Sequence, residues 1–171
     1  VSSLASLRRT MRLASWKRSS FAIGVDRGVL HLKRVGAMPQ FAVGDWDSLG
    51  QQTGAFLAGI PHQTLSPRKN RSDLWFAACH ALKQGATELK IIGSSGGRFD
   101  HQLAALFDLS ALMQAHASLR RIDFFGDDER VTLVSQASGK VKIIAKKGIV
   151  VSILALAEKT IVTLKGFEYA L

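Results

Sequence analysis

Residues 72–97 read SDLWFAACHALKQGATELKIIGSSGG, and this stretch decides the fold class. Its first half repeats apolar side chains at i, i+3, i+4, i+7 and i+8, which predicts an amphipathic helix. The apolar positions of this helix are Leu74, Ala77, Ala78, Ala81 and Leu82. A short run at 88–92 is typical of a strand, and a glycine-rich turn at 93–97 follows it. The order helix, strand and glycine turn predicts an α/β protein.

Similar signals lie on both sides of this stretch. Residues 21–25 and 40–43 are apolar runs that each end at a polar loop containing glycine, as strands of an α/β sheet do. Residues 101–116 have the length and apolar content of a second helix. Because alternating strands and helices need crossover connections, their order predicts a parallel sheet. We therefore expect a parallel α/β domain at 21–127.

The pattern changes in the last third of the chain. Short β-like runs follow one another without an intervening helical pattern, at 131–135, 141–145, 149–155 and 160–164. This arrangement predicts a second, antiparallel all-β region at 128–171. The longest apolar run, 149–157, is far shorter than the roughly 20 residues that a membrane-spanning helix needs. We therefore interpret it as a buried strand and expect no membrane association.

Charge is concentrated at the N-terminus. The chain carries a net charge of +10, and residues 1–20 contain five Lys or Arg residues and no acid. We expect an irregular basic arm there; an organellar targeting segment is the alternative. No sequence signature of a nucleic-acid-binding motif follows, so we expect no specific nucleic-acid partner. A single cysteine, Cys79, excludes a disulfide scaffold and a thiolate zinc cluster.

Three aspartates stand next to predicted strand or helix ends. Asp45 and Asp47 flank Trp46, and in an extended stretch their side chains would point to the same side. Two adjacent like charges are costly unless a cation lies between them, and Mg²⁺ is the usual partner of such carboxylates. Asp73, in the first turn after the predicted N-cap Ser72, could complete a three-carboxylate site. The alternative is that these residues only form a turn and a helix start.

The glycine-rich turn is a second candidate site. Glycines let backbone N–H groups approach phosphate oxygens, and the following helix N-terminus adds positive potential. Arg98 could hold the same anion with its guanidinium fork, and Asp100 and His101 add an acid and a proton carrier. The spacing matches neither the dinucleotide fingerprint nor the Walker loop. No G-x-S-x-G elbow occurs, which argues against a covalent serine hydrolase.

Taken together, these motifs resemble the thiamine pyrophosphokinase (thiamine diphosphokinase) family. The residues that carry the resemblance, in the family's order, are 24–28 (GVDRG), 44–48 (GDWDS), 69–73 (KNRSD) and 96–101 (GGRFDH). The resemblance implies an N-terminal α/β catalytic domain, a C-terminal antiparallel β-sandwich and a cytoplasmic homodimer. It implies an enzyme that transfers a pyrophosphoryl group from ATP to the hydroxyl of thiamine, giving thiamine diphosphate and AMP with Mg²⁺.

The resemblance also implies roles for individual residues. Asp45, Asp47 and Asp73 would hold Mg²⁺, and Asp73 and Asp100 would contact thiamine; all four would be catalytic. The remaining matched positions would bind ATP: Asp26, Ser48, Lys69, Gly96, Gly97 and Arg98.

The sequence departs from the family pattern at three places. Asn70 replaces the first acid of the usual K-D-x-T-D motif, which removes a charge. No glycine-rich strand precedes Phe21, and the chain stops at Leu171, so we expect a truncated sandwich. Two alternatives remain open. One is a related pterin diphosphokinase, because the motifs recognise phosphates and not the acceptor; the other is an inactive nucleotide-binding relative.

Overall fold

The computed structural model describes residues 4–17, 20–47, 50, 53–95, 97–144 and 146–169. The chain divides into two compact units, 1–139 and 140–171. The first unit contains all the strands and α-helices that the structure describes. Among the described residues, no helix is long and apolar enough to cross a membrane.

The first sheet of this unit is parallel and carries the first part of the site. Its strands are β1 (Ile23–Val25), β2 (Phe41–Gly44) and β3 (His62–Thr64), in the order β1-β2-β3. Helices α2 (Gly28–Arg34) and α3 (Thr53–Leu57) make the crossovers. A buried cluster forms under them from Val29, Ala42, Trp46, Leu57 and Ile60. The predicted parallel sheet is therefore confirmed for this half of the domain.

The second sheet combines a parallel and an antiparallel pair. Strand β4 (Glu88–Ile92) is parallel to β5 (Arg121–Phe125), which is antiparallel to β6 (Arg130–Val134). Helix α5 (Phe99–Ala115) connects β4 to β5 and buries Leu109 and Leu112 completely. The predicted α/β class is confirmed, with a parallel sheet and a second sheet.

Helix α4 (Asp73–Lys83) links the two halves of this unit. It packs against β1, β2 and α5, and its small side chains allow this on two sides. Ala77 lies in a cluster with Val43 and Leu65, whereas Ala78 belongs to the core of the second sheet. The predicted N-cap is confirmed, because the Ser72 hydroxyl oxygen accepts a hydrogen bond from Trp75 N at 3.4 Å.

The structure differs from the predicted irregular N-terminal arm. Helix α1 (Leu4–Leu13) occupies most of this segment. Leu7, Met11 and Ala14 are buried at spacings of four and three residues, which is a helical face. The ammonium of Lys90 on β4 donates to the carbonyl of Ala14 at 2.7 Å. Burial of this face stabilises a helix that basic composition alone does not reveal.

The C-terminal region also differs from the prediction. Strand β6 pairs with β5, so the boundary lies after residue 139 and not at 128. In residues 140–144 and 146–169, no strand forms at the predicted runs 141–145, 149–155 and 160–164, and the structure corrects that part of the prediction. Apolar side chains such as Ile161 are exposed there. Alternating apolar residues favour a strand only where a neighbouring strand completes the hydrogen bonds.

Candidate functional site

Two aspartates directly follow neighbouring parallel strands. Asp26 follows β1 and Asp45 follows β2, and the two strands pair in register with Val25 opposite Val43. Asp26 N donates to the Val43 carbonyl at 2.9 Å, which extends the ladder to the aspartate itself. Because the carboxyl ends of parallel strands meet at one edge of the sheet, the two carboxylates share that edge, where open α/β sheets bind ligands.

A third carboxylate comes from the start of α4. The helix packs on β1 and β2, and its first residue is Asp73. One carboxylate oxygen from each of Asp26, Asp45 and Asp73 lies within 4.8 Å of the other two, and all three residues are half-buried. We call Asp26, Asp45 and Asp73 the carboxylate triad. Three like charges this close repel one another strongly unless protons or cations offset them.

Asp26 is the most constrained member of the triad. It has a positive φ of 46°, and its Oδ1 is buried without a hydrogen-bond partner. A Cβ at Gly44 would lie 2.0 Å from that oxygen, so only glycine leaves room for it. Burial, together with the charges of Asp73 and Asp45, raises the pKa of Asp26 to about 7. The carboxyl is therefore poised between its charged and neutral forms at physiological pH.

Lys69 inserts a positive charge into the triad. Its Nζ donates to Asp45 Oδ2 at 2.9 Å and lies 3.1 Å from Asp73 Oδ1, and its side chain is only 13% exposed. The hydrogen bond from Lys69 is the main cause that lowers the pKa of Asp45. Burial by itself lowers the pKa of Lys69, but the two carboxylates outweigh it and raise that pKa. Asp73 Oδ1 is thus the second ion-pair partner of this ammonium.

Asp47 does not join the triad, contrary to the expectation of an Asp45–Asp47 pair. The backbone between them is not extended, because Trp46 has a φ of 63°. The Trp46 ring is buried, and its Nε1 donates to Thr64 Oγ1 at 2.9 Å, which holds the turn in place. Asp47 is left exposed, and its backbone N donates to Asp45 Oδ1 at 3.4 Å. Asp26 thus takes the position that the sequence had suggested for Asp47.

The predicted phosphate loop forms a separate group at the start of α5. The Arg98 guanidinium donates to both oxygens of Asp100, with Nε 3.1 Å from Oδ1, and both side chains are largely exposed. The hydrogen bond from Arg98 lowers the pKa of Asp100. A Cβ added at Gly97 would meet nothing within 4 Å, whereas the predicted site residues Ser48 and Gly96 lie outside the described residues. Within the described part of the chain, no hydrogen bond or ion pair joins this group to the triad.

One positioning residue was missed by the sequence analysis. Asp108, on α5, accepts from Ser72 N at 2.8 Å and from Arg71 Nη1 at 2.9 Å, which fixes the loop before Asp73. Burial alone raises the pKa of Asp108, but the hydrogen bonds from Ser72 and Arg71 outweigh it and lower that pKa. A lone acid in the middle of a helix gives no sequence signal of this role.

The donor set of the triad fits a hard divalent cation. Carboxylate oxygens are the ligands that Mg²⁺ prefers, and it commonly takes only one or two of them together with phosphate oxygens. Asp26 Oδ1 is buried without a hydrogen-bond partner, and one oxygen of each of the three carboxylates lies within 4.8 Å of the other two. Asp26, Asp45 and Asp73 are therefore the described residues that could hold such an ion.

Comparison with known proteins gives a consistent result. Residues 13–120 match the family model of the thiamin pyrophosphokinase catalytic domain. The chain is 32% identical over 103 residues to the thiamine pyrophosphokinase of Bacillus subtilis (strain 168), a match that covers 59% of this chain and 48% of that protein. The chain thus spans about half the length of this relative.

Solved structures show the same likeness. A probable thiamine pyrophosphokinase from Staphylococcus saprophyticus superposes with a TM-score of 0.51 at 33% identity, over 64% of this chain and 55% of that one. A thiamin pyrophosphokinase family protein from Enterococcus faecalis gives 0.53 at 35% identity, over 60% and 49%. The Bacillus subtilis enzyme gives 0.56 at 25% identity, over 67% and 53%.

Proposed function

The chain belongs to the family of the thiamin pyrophosphokinase catalytic domain, and on this premise we propose that it acts as a thiamine diphosphokinase. It transfers a pyrophosphoryl group from ATP to the primary hydroxyl of thiamine. The hydroxyl oxygen attacks the β-phosphorus in line, and AMP leaves. The observation that carries the proposal is the carboxylate triad at the carboxyl ends of β1 and β2.

The triad supplies the electrostatic part of the reaction. Asp26, Asp45 and Asp73 would hold Mg²⁺, which would supply positive charge to offset that of the phosphates. Asp45 is the anchoring ligand, because the hydrogen bond from Lys69 keeps its pKa low and the carboxylate ionised. Gly44 leaves room for the Asp26 carboxylate, and the hydrogen bond from Trp46 to Thr64 holds the turn after Asp45.

The second group at the start of α5 supplies contacts to both substrates. Arg98 and the N–H of Gly97 bind phosphate oxygens, and Lys69 binds the triphosphate from the triad side. Asp100 is the second residue of α5, and the resemblance to the family implies that it would contact thiamine. Arg98 must then give up part of its contact with Asp100 in order to bind phosphate oxygens of the nucleotide. We further propose a cytoplasmic homodimer, following the family.

The proposal is tested by incubating the protein with ATP, Mg²⁺ and thiamine and measuring AMP and thiamine diphosphate by chromatography. We expect both products in equal amounts. The Asp45→Asn variant should lose at least ~100-fold in kcat, the size expected when a key electrostatic contact to the transition state is removed. A matched control is Glu88→Gln at the exposed start of β4, which should retain activity.

Two results would overturn the proposal. One is the absence of thiamine diphosphate and AMP at saturating substrates, with the wild-type fold verified by circular dichroism. The other is turnover of a pterin acceptor without turnover of thiamine, which would replace the substrate but keep the role of the triad. Binding of ATP with Mg²⁺ and no turnover of either acceptor would identify an inactive nucleotide-binding relative.

A further inference from the structure

The ammonium of Lys69 lies where two of the three triad carboxylates offer their oxygens. Its Nζ is 2.9 Å from Asp45 Oδ2 and 3.1 Å from Asp73 Oδ1. Among the described ion pairs, Lys69 is the only lysine that contacts two carboxylates. The Lys69 side chain is only 13% exposed and lies between two charged partners, so its ion pairs are part of this site and are not surface ion pairs.

A divalent cation and this ammonium compete for the same carboxylates. A cation held by the triad draws on the carboxylates of Asp45 and Asp73, and these two residues are the partners of Lys69. Two positive groups a few ångströms apart in a half-buried site repel each other strongly. We therefore expect Lys69 to leave at least one of its partners when the site fills.

The loop around Lys69 allows the side chain to move without the backbone. Asp108 accepts hydrogen bonds from Ser72 N and Arg71, which hold the start of α4 independently of Lys69. The lysine itself reaches the triad through a flexible four-carbon stem. Only the stem has to swing for the ammonium to exchange partners.

We propose that Lys69 is a displaceable internal counter-ion. It offsets part of the negative charge of the carboxylate triad in the metal-free protein, is expelled from the triad by the divalent cation, and is then available to the anionic co-substrate. This inference rests on the proposed function for the identity of the cation. Lys69 thereby links the binding of the cation to that of the nucleotide. The cation binds first and displaces the ammonium of Lys69, which then binds a phosphate group.

The first test measures metal affinity without nucleotide. Mn²⁺ is titrated calorimetrically into metal-free protein at pH 8, for the wild type and for Lys69→Met, Lys69→Arg and the control Lys83→Met. We expect Lys69→Met to bind about tenfold more tightly, since its site no longer contains a competing charge. Lys69→Arg, which retains the charge, should stay close to wild type. Lys83 is exposed at the end of α4, so its variant should bind as the wild type does.

The second test follows the lysine itself in the unaltered protein. Acetylation of Lys69 by an amine-reactive ester is timed by mass spectrometry with and without Mn²⁺, and Lys83 in the same sample is the internal standard. We expect the metal to accelerate the modification of Lys69 severalfold and to leave Lys83 unchanged. Added ATP should slow the modification again, because a phosphate group then holds the ammonium.

The outcomes separate this inference from the proposed function. If the wild type binds Mn²⁺ and Lys69→Met binds it equally or more weakly, the counter-ion role is wrong and the metal site stands. An unchanged acetylation rate of Lys69 on metal binding contradicts the displacement in the same way. If neither the wild type nor Lys69→Met binds Mn²⁺, the metal site of the proposed function is wrong.

Discussion

Replacing Asp26 with asparagine should stabilise the metal-free protein at neutral and alkaline pH. The substitution keeps the shape of the side chain under Gly44 and removes one of three clustered charges. The Asp26 pKa of about 7 lies well above its ordinary value of 3.8, mainly because the carboxyl is buried. The folded protein therefore holds the proton more tightly than the unfolded chain does.

This difference fixes the sign of the pH dependence. The stability that comes from the protonated carboxyl is fully present below pH 3.8 and is lost as pH rises through about 7. Asparagine does not titrate, so the Asp26→Asn variant does not lose that contribution. The variant's advantage should be small below pH 4, amount to about a third of its full size at pH 5 and reach its full size above about pH 8.

The magnitude follows from the same two pKa values. The interval from 3.8 to about 7 corresponds to an upper limit of about 4 kcal/mol. Because the carboxyl is only partly buried and solvent screens it, we expect about half of this, ~2 kcal/mol, in the free energy of unfolding. For a chain of this size, that is a rise in Tm of roughly 4–8 °C.

The assay is urea unfolding in EDTA at pH 5 and pH 8, followed by tryptophan fluorescence. Asp47→Asn removes the same charge from an exposed residue next to the site and should change the free energy of unfolding by less than ~0.5 kcal/mol. The reasoning is refuted if Asp26→Asn is no more stable than wild type at pH 8, or if its gain is as large at pH 5. The variant should also lose most of the stabilisation by Mg²⁺, since it lacks one triad oxygen.

Three further predictions concern the scaffold. Gly44→Ala should destabilise the protein by about 1–3 kcal/mol, because the new Cβ would meet Asp26 Oδ1 at 2.0 Å. In a double-mutant cycle, adding Asp26→Ala should recover much of this loss, and additive effects of the two substitutions would contradict the contact. Met11→Ala should lower the free energy of unfolding by about 2–4 kcal/mol, because Met11 is buried, as denaturant unfolding would show. Arg8→Ala, at an exposed position of the same helix, should lower it by less than ~0.5 kcal/mol. Equal small losses for both variants would mean that α1 is not packed. Burial alone raises the pKa of Asp123, but hydrogen bonds from one hydroxyl and two guanidinium groups outweigh it and lower that pKa. The stability that the ionised Asp123 contributes should therefore be present above pH 3.8 and be lost as acid protonates the carboxylate. Asp123→Asn should show a shallower acid unfolding curve, and an unchanged curve would contradict this.

The local order of the chain could be predicted from periodicity. The apolar stripe of α4, its Ser72 cap, the strand at 88–92 and the following helix all lie where the sequence indicates them. These features depend on contacts between residues a few positions apart, and the spacing of residue types along the sequence predicts such contacts. The position of aspartates after strands also indicated a site at one edge of the sheet.

The tertiary structure alone decided which side chains meet there. Asp26 replaces Asp47 in the triad because the backbone at Trp46 turns left-handed, and a period-two argument assumes an extended chain. Lys69 and Asp108 acquire their roles through partners 24 and 36 residues away, in Asp45 and Ser72.

The ends of the chain show the same division between local pattern and long-range contact. Helix α1 forms because Leu7, Met11 and Ala14 find a buried surface, and basic composition carries no record of that surface. In the described part of residues 140–169, the alternating apolar residues form no strand, because a strand is completed by hydrogen bonds to another segment. The sequence thus determined the α/β elements and the motifs, and packing between distant segments determined the triad and its lysine.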